Sequence, residues 1–412
     1  MNILHVVHRY YPSIGGTEKL FQVLSEKFAA DGHKVTIFTT SALDLYAFWN
    51  RNRAESDVFH EFVNSVEVFR FKVKYLYWHN ATLKWLSKIP SEFFHHLFAY
   101  PNAYIPDLFK QIFKKHDFDI VHSSSLPYNS IIYPAFKIAK HNNIPFVLTP
   151  HVHTGEPSVP ETIQTCTKPH HIKLMTETNR IITKSEIEKR AIMKFGIPEE
   201  KLFTIVNGIE SSEIAGGKGE NFREKFGIKQ PFMLHLSQLS KPKGTYFIID
   251  SMKLLWEQGL DFDLVLAGSK SDDFDVYINS LEENVRKHII VLNRISDEDK
   301  KNALAACDIF AMPSIVDAFG LVFLEAWFYK KPIIGAFAGG VPEVIEDGIN
   351  GFLVPFNDRY MLSEIISKLY DSPSLRKKMG ENGYRKVIEE YNWDKAYNQT
   401  KILYEETIDS YK

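Results

Sequence analysis

The twenty residues DIFAMPSIVDAFGLVFLEAW (308–327) decide how this chain is read. A short apolar run closes on Pro313 and Ser314, a loop carries Asp317 and Gly320, and LVFLEAW then runs on without polar alternation. The first part reads as a buried strand and the last as a buried helix beginning near Leu321. Two acids interrupt this apolar unit, Asp317 in the loop and Glu325 in the helix. A carboxylate among Leu, Ala, Trp and Phe is rarely left without a partner.

The same strand–loop–helix unit recurs along the chain. NILHVV (2–7), KVTIFTT (34–40), VEVFRF (66–71), DIVHSS (119–124), FVLTP (146–150) and RIITKS (180–185) form one series. FMLHLS (232–237), FDLVLAG (262–268), HIIVL (288–292), DIFAMPS (308–314), KPIIGA (331–336) and GFLVP (351–355) form a second. Strands alternating with amphipathic helices imply α/β architecture with parallel sheets and right-handed crossovers. With 412 residues, two doubly wound domains are expected, residues 1–205 and 206–392, joined by the Gly- and Ser-rich stretch 206–222. The tail 393–412 reads as a helix that follows a kink near Asn392 and packs back on the first domain.

Composition excludes several functions. A formal net charge of -2 gives no electrostatic case for nucleic acid. Two cysteines, Cys166 and Cys307, are too few for a disulfide framework and fit a cytoplasmic protein. No window has the ~18–20 apolar residues of a membrane span.

In open α/β sheets, ligands meet the carboxyl ends of the strands, and polar clusters fall there. Gly15 and Gly16 lie between the first strand and its helix, where they form a tight turn or admit an anion to the helix N-terminus. The sequence there, GGTE, is not a dinucleotide fingerprint. Lys243, before Gly244, is a solvated loop lysine or a phosphate partner. Asp317 is a helix cap or a ligand contact; Glu325 is a lysine-paired buried acid or a hydroxyl acceptor. Gly339 and Gly340 suggest a backbone that approaches a ligand closely. His151, in HVH (151–153), is structural or a donor or general base; no metal site is expected there. Asp-Phe-Asp occurs at 117–119 and 261–263, before its strands, and SDDFD at 271–275; all three read as turns and caps.

Together GGTE (15–18), TPH (149–151), VNGIE (206–210), LSKPKG (239–244), AACDIFAMPS (305–314), DAFGLVFLEA (317–326) and AGGVPEVIEDGINGFLVP (338–355) resemble the glycosyltransferase family 4 type. These are retaining, nucleotide-sugar-dependent enzymes of the GT-B fold, two facing Rossmann-like domains with the active site between them. The resemblance runs through nearly the whole chain and implies a donor held by the second domain and an acceptor by the first. Glu325 would hold the ribose hydroxyls, and amides around Ala318, Phe319, Gly320 and Leu321 would meet the sugar and diphosphate. Lys243 would neutralise the departing diphosphate, Gly15 and Gly16 would approach it, and His151 would stand near the reacting sugar. Backbone around Arg294 and Ile295 would read the nucleobase. No metal and no cofactor is implied beyond the nucleotide-sugar substrate.

The chain departs from that pattern in three places. Asp317 replaces the first glutamate of the usual Glu-x7-Glu pair, Ala318 replaces a glycine, and Gln238 replaces an arginine of the diphosphate clamp. Weaker donor binding, or compensation by a nearby cation such as Lys241, is expected to follow, with lost activity as a third outcome. The departures leave a catalytically silent nucleotide- or glycan-binding protein open as an alternative, as is an epimerase. Residues 69–100 mix Arg, Lys and His with Tyr, Trp and Phe, which fits either core helices or a peripheral membrane contact toward a lipid-linked acceptor.

Overall fold

Short apolar runs alternating with amphipathic helices build two parallel sheets in the computed structural model, which describes residues 1–13, 15–76, 79–86, 88–89, 91–98, 103–126, 128–152, 166–315, 317 and 319–411. Each sheet organises one unit. The first comprises Met1–Val152, Ile163–Ile205 and Ala396–Lys412; the main body of the second is Val206–Lys395.

The first unit holds β1 (Asn2–Val6), β2 (Lys34–Thr40), β3 (His60–Val63), β4 (Val66–Phe71), β5 (Ile120–Ser124), β6 (Phe146–Thr149), β7 (Arg180–Thr183) and β8 (Leu202–Thr204). They lie in the order β3-β4-β2-β1-β5-β6-β7-β8. All pairs are parallel except the edge pair β3–β4. Central strands such as β5 and β6 are buried at every residue, as a sheet covered by helices on both faces requires. From β1 the chain builds outward through β2 to β4, then returns to the other side of β1 with β5. The crevice between β1 and β5 is therefore the switch point of this sheet.

The second unit holds β9 (Phe232–Leu236), β10 (Asp263–Ala267), β11 (Ile289–Leu292), β12 (Ile309–Met312), β13 (Ile333–Ala336) and β14 (Gly351–Val354). Their order is β11-β10-β9-β12-β13-β14, parallel throughout. Here the winding reverses between β9 and β12. The twelve runs read as strands are all strands; β3 and β8 are two more.

The two last helices, Pro373–Glu390 and Trp393–Tyr411, break at Asn392, whose side chain accepts the Lys395 N–H at 2.8 Å. Within the first unit, the last helix delivers Tyr404 to a buried polar chain. The Tyr404 hydroxyl lies 3.0 Å from His5 Nε2 and 2.5 Å from His122 Nδ1. His5 Nδ1 continues to Ser25 Oγ at 2.8 Å, and His122 Nε2 to Thr149 Oγ1 at 2.8 Å. With a single proton, the tyrosine donates to one imidazole and accepts from the other. Phe28 stacks on the Tyr404 ring, centroids 5.2 Å apart.

In the stretch 69–100, Leu83 and Phe98 join a small core with Phe109, while Trp85 is 67% exposed. Trp78 lies outside the described residues. Among the described residues, no helix is long and apolar enough to cross a membrane.

Candidate functional site

Because every strand of the second sheet points the same way, the loops after β9, β11, β12 and β13 share one edge. Two of them meet at the switch point. Lys243, after β9, donates to both oxygens of Asp317, after β12, at 3.0 and 2.9 Å. The loops are zipped together beneath that pair: the Ile315 N–H and Ser314 Oγ both donate to the Pro242 carbonyl, at 3.0 and 3.2 Å. Gly244 follows Lys243 with φ +80°, and a Cβ there would collide with the Pro313 carbonyl. A left-handed turn pressed against backbone admits only glycine.

The loop after β13 closes on the same point. The Gly340 N–H donates to the Asp317 carbonyl at 3.1 Å, and a Cβ on Gly339 would collide with that carbonyl. The close approach inferred for Gly339 and Gly340 is thus made to Asp317 itself. Gly339 and Gly340 position the acid.

Beyond Asp317 the chain reaches Phe319, whose ring is buried against Tyr391, then Gly320 (φ +81°), which opens the helix Leu321–Phe328. Gly320, at the N-cap position, brings no side chain to cap this N-terminus. The Phe323 N–H turns back to the Gly320 carbonyl at 2.9 Å, and this end of the helix carries the positive end of its dipole. Ala318 lies outside the described residues.

Glu325 stands one turn into this helix, its side chain 17% exposed. Its Oε1 accepts from Lys300 Nζ at 2.7 Å. Lys300 rises from helix Asp297–Ala306, whose first turn is fixed by the Ser296 cap. The lysine-paired acid anticipated for Glu325 is therefore present. One carboxylate oxygen is committed, and a carboxylate has lone pairs to spare on the other. Nothing in DEDKK (297–301) singled out Lys300 over Lys301, so this partner was invisible in the sequence.

Gln238 is exposed on the loop after β9. Lys241, the expected compensating cation, lies over the Tyr246 ring and 3.9 Å from Asp273. Arg294 and Ile295 follow β11 on the same sheet edge, Arg294 with φ +52°. The Asp-Phe-Asp copies sit at strand starts: Asp119 takes the Asn2 N–H at 2.6 Å, and Asp263 faces His288 at 3.5 Å. Asp273 of SDDFD accepts from Ser271 Oγ at 2.7 Å.

In the first unit, Gly15 and Gly16 follow β1 at its switch point. A Cβ on Gly15 would overlap the Glu18 carboxylate, whereas nothing lies within 4 Å of the Cβ position of Gly16. Gly15 is therefore needed by the fold, and Gly16 is the glycine open to approach. Glu18, 3% exposed, pairs with Arg9 at 2.5 Å and His8 at 3.2 Å. Burial works to raise its pKa, but His8 and Arg9 outweigh it and hold the carboxyl at about 2. His151 follows β6 with φ +52°. Its HVH partner His153 lies outside the described residues. Among the described residues, no three His, Cys, Asp or Glu side chains are grouped to hold a metal.

Residues 218–386 match the family described as "Glycosyl transferases group 1", and residues 14–213 match "Glycosyltransferase Family 4". Along nearly the whole chain it is similar to the N-acetyl-alpha-D-glucosaminyl L-malate synthase of Bacillus anthracis, 22% identical over 97% of this chain and 96% of that one. A GDP-mannose-dependent monoacylated alpha-(1-6)-phosphatidylinositol monomannoside mannosyltransferase of Corynebacterium glutamicum is 32% identical over 42% of this chain and 47% of its own. With several relatives the match spans only 47–69% of the relative's length. Among solved structures, Anabaena HepE in complex with UDP-glucose superposes with a TM-score of 0.71 at 18% identity, covering 100% of both chains.

Proposed function

Because the chain belongs to the glycosyltransferases of the family 4 type and has their GT-B fold, we propose that it moves a sugar from a nucleoside diphosphate-sugar to a glycan or lipid-linked acceptor, with retention at the anomeric carbon. The observation that carries this reading is the Lys243–Asp317 pair at the switch point, beside a helix N-terminus that opens on Gly320 and one turn from Glu325. Donor binding replaces Asp317 by diphosphate as the partner of Lys243. The freed carboxylate then takes a sugar hydroxyl, a contact that its short side chain makes from a position fixed by Gly339 and Gly340. Amides at Phe319, Gly320 and Leu321 meet phosphate oxygens, and Oε2 of Glu325 takes the ribose hydroxyls while Lys300 fixes the carboxylate. Arg294 and Ile295 flank the base.

As the glycosidic bond breaks, negative charge grows on the leaving diphosphate, and fixed cations and amides are most effective there. In this reading Lys243 and the helix N-terminus do that work without a metal, and Gln238 contributes no charge. Gly16 lets backbone approach the phosphates, and His151 accepts or donates a proton near the reacting hydroxyl. No protein nucleophile is required if the acceptor attacks from the leaving-group face. A lipid-linked acceptor is supported by Trp85, exposed on helix His79–Leu86 beside Lys84.

Glu325→Ala removes the ribose acceptor. Charge-assisted hydrogen bonds contribute about 1.5–3 kcal/mol, so calorimetric affinity for UDP, GDP or ADP, whichever the protein binds, should fall about 10- to 100-fold. Affinity equal to that of the unaltered protein would end the ribose assignment.

A further inference from the structure

His151 stands in the left-handed region, φ +52°, which residues other than glycine occupy only when their surroundings hold them there. Both flanks of this residue are pinned. Before it, the Thr149 carbonyl accepts the Ser125 N–H at 2.9 Å and the Pro150 carbonyl accepts the Leu126 N–H at 2.8 Å. After it, the Val152 N–H donates at 2.6 Å to Oε1 of Glu188.

Glu188 is an unusual anchor. Only 2% exposed, it belongs to helix Glu186–Met193, which follows β7. Its Oε2 accepts the Lys184 N–H at 2.7 Å, and its own N–H is held by Ser185 Oγ at 3.0 Å. One carboxylate thus ties the turn after β6 to the turn after β7 through two charge-assisted hydrogen bonds. The Lys184 ammonium, buried in the same place, donates to the Ile205 carbonyl at 3.1 Å. Burying a carboxylate is expensive, and a neutral side chain suffices to cap a helix. The carboxylate does something more: it accepts one N–H on each of its two oxygens, whereas a neutral amide of the same size has only one accepting oxygen.

We propose that Glu188 is a positioning residue for the transfer reaction, holding the Val152 amide so that His151 stays in its left-handed turn and its imidazole stays aimed. This inference rests on the role given to His151 above. Glu188 itself touches neither donor nor acceptor.

Glu188→Gln keeps the size but offers one acceptor and one unwanted donor. With a donor and acceptor that the protein turns over, it should lower kcat about tenfold and leave the donor KM within twofold. In a His151→Ala background the same substitution should change kcat less than twofold, because the group it positions is gone. Equal losses in both backgrounds would make Glu188 a structural staple and overturn the proposal, as would an unchanged kcat in a folded Glu188→Gln protein. Should Glu188→Gln fail to fold, Glu188→Asp keeps the charge with a shorter reach, and the same comparison in the two backgrounds decides. If His151→Ala alone retains full kcat, the assignment of His151 falls, and this proposal with it. A loss on His151→Ala with additive Glu188 effects overturns only the present one.

Discussion

Replacing Lys243 by alanine should lower kcat for sugar transfer by about 10²–10³-fold. Removing one preorganised group that stabilises developing charge typically has an effect of that size, about 3–4 kcal/mol in the barrier. The structural side of the same substitution is small. Lys243 and Asp317 have side chains 25% and 16% exposed, and a partly hydrated ion pair contributes only about 0–1 kcal/mol to stability. Activity should therefore collapse while the melting temperature shifts by no more than a few degrees. Lys243→Arg retains the charge and should recover part of the rate. Steady-state kinetics and a thermal melt on the same samples check both halves; a Lys243→Ala protein with undiminished turnover would remove Lys243 from the reaction.

The largest stability effect is expected at Tyr404. Tyr404→Phe keeps the ring that stacks on Phe28 and deletes one hydroxyl, which leaves His5 Nε2 and His122 Nδ1 without their shared partner. Both histidines are fully buried, and an unsatisfied buried polar group costs about 1–3 kcal/mol. A loss of about 2–5 kcal/mol follows, or a fall of about 5–15 °C in melting temperature for a unit of this size. Tyr397→Phe is the control, since the group it abandons, Asp31, is near the surface and keeps Lys401 at 2.8 Å. Equal melting temperatures for Tyr404→Phe and the unaltered chain would show that the network contributes nothing.

The same histidines set a pH dependence. Burial lowers the pKa of His5 to about 3 and that of His122 well below its usual value. Both stay neutral in the folded chain while the unfolded chain takes up protons below about pH 6.5. Their contribution is complete above that pH and is lost as the pH falls, by at most about 1.4 kcal/mol per pH unit for each histidine. Glu18, held at about 2, adds a loss in the same direction below about pH 4.5. Melting temperature should decline from about pH 6.5 downward.

How much of this was legible in the residues depends on how local the signal is. Strands such as FMLHLS and DIFAMPS announce themselves because both faces are covered and the apolar run is unbroken. HEFV (60–63) does not: as an antiparallel edge strand it is nowhere fully buried. LFT (202–204) is three residues long. The start of helix Leu321–Phe328 was legible because Gly320 interrupts the run, and the break at Asn392 lies where it was expected. The reasons behind the glycines were not. Gly15 clears Glu18, three residues away, but Gly339 clears Asp317, 22 positions earlier, and no local pattern reports such a contact. Lys300 and Glu188 were missed for the same cause. Each matters through a partner that folding brings to it from another element, and one sequence does not say which lysine of DEDKK faces Glu325 or that Glu188 reaches Val152.

The most direct test of transferase activity is nucleotide release from labelled UDP-, GDP- and ADP-sugars, measured with and without glycan and lipid-linked acceptors. Release with one donor, dependent on an acceptor and yielding a product with the donor's anomeric configuration, is the expected result. Tight nucleotide-sugar binding with no release under any acceptor would contradict it, and so would isomerisation of the sugar without acceptor.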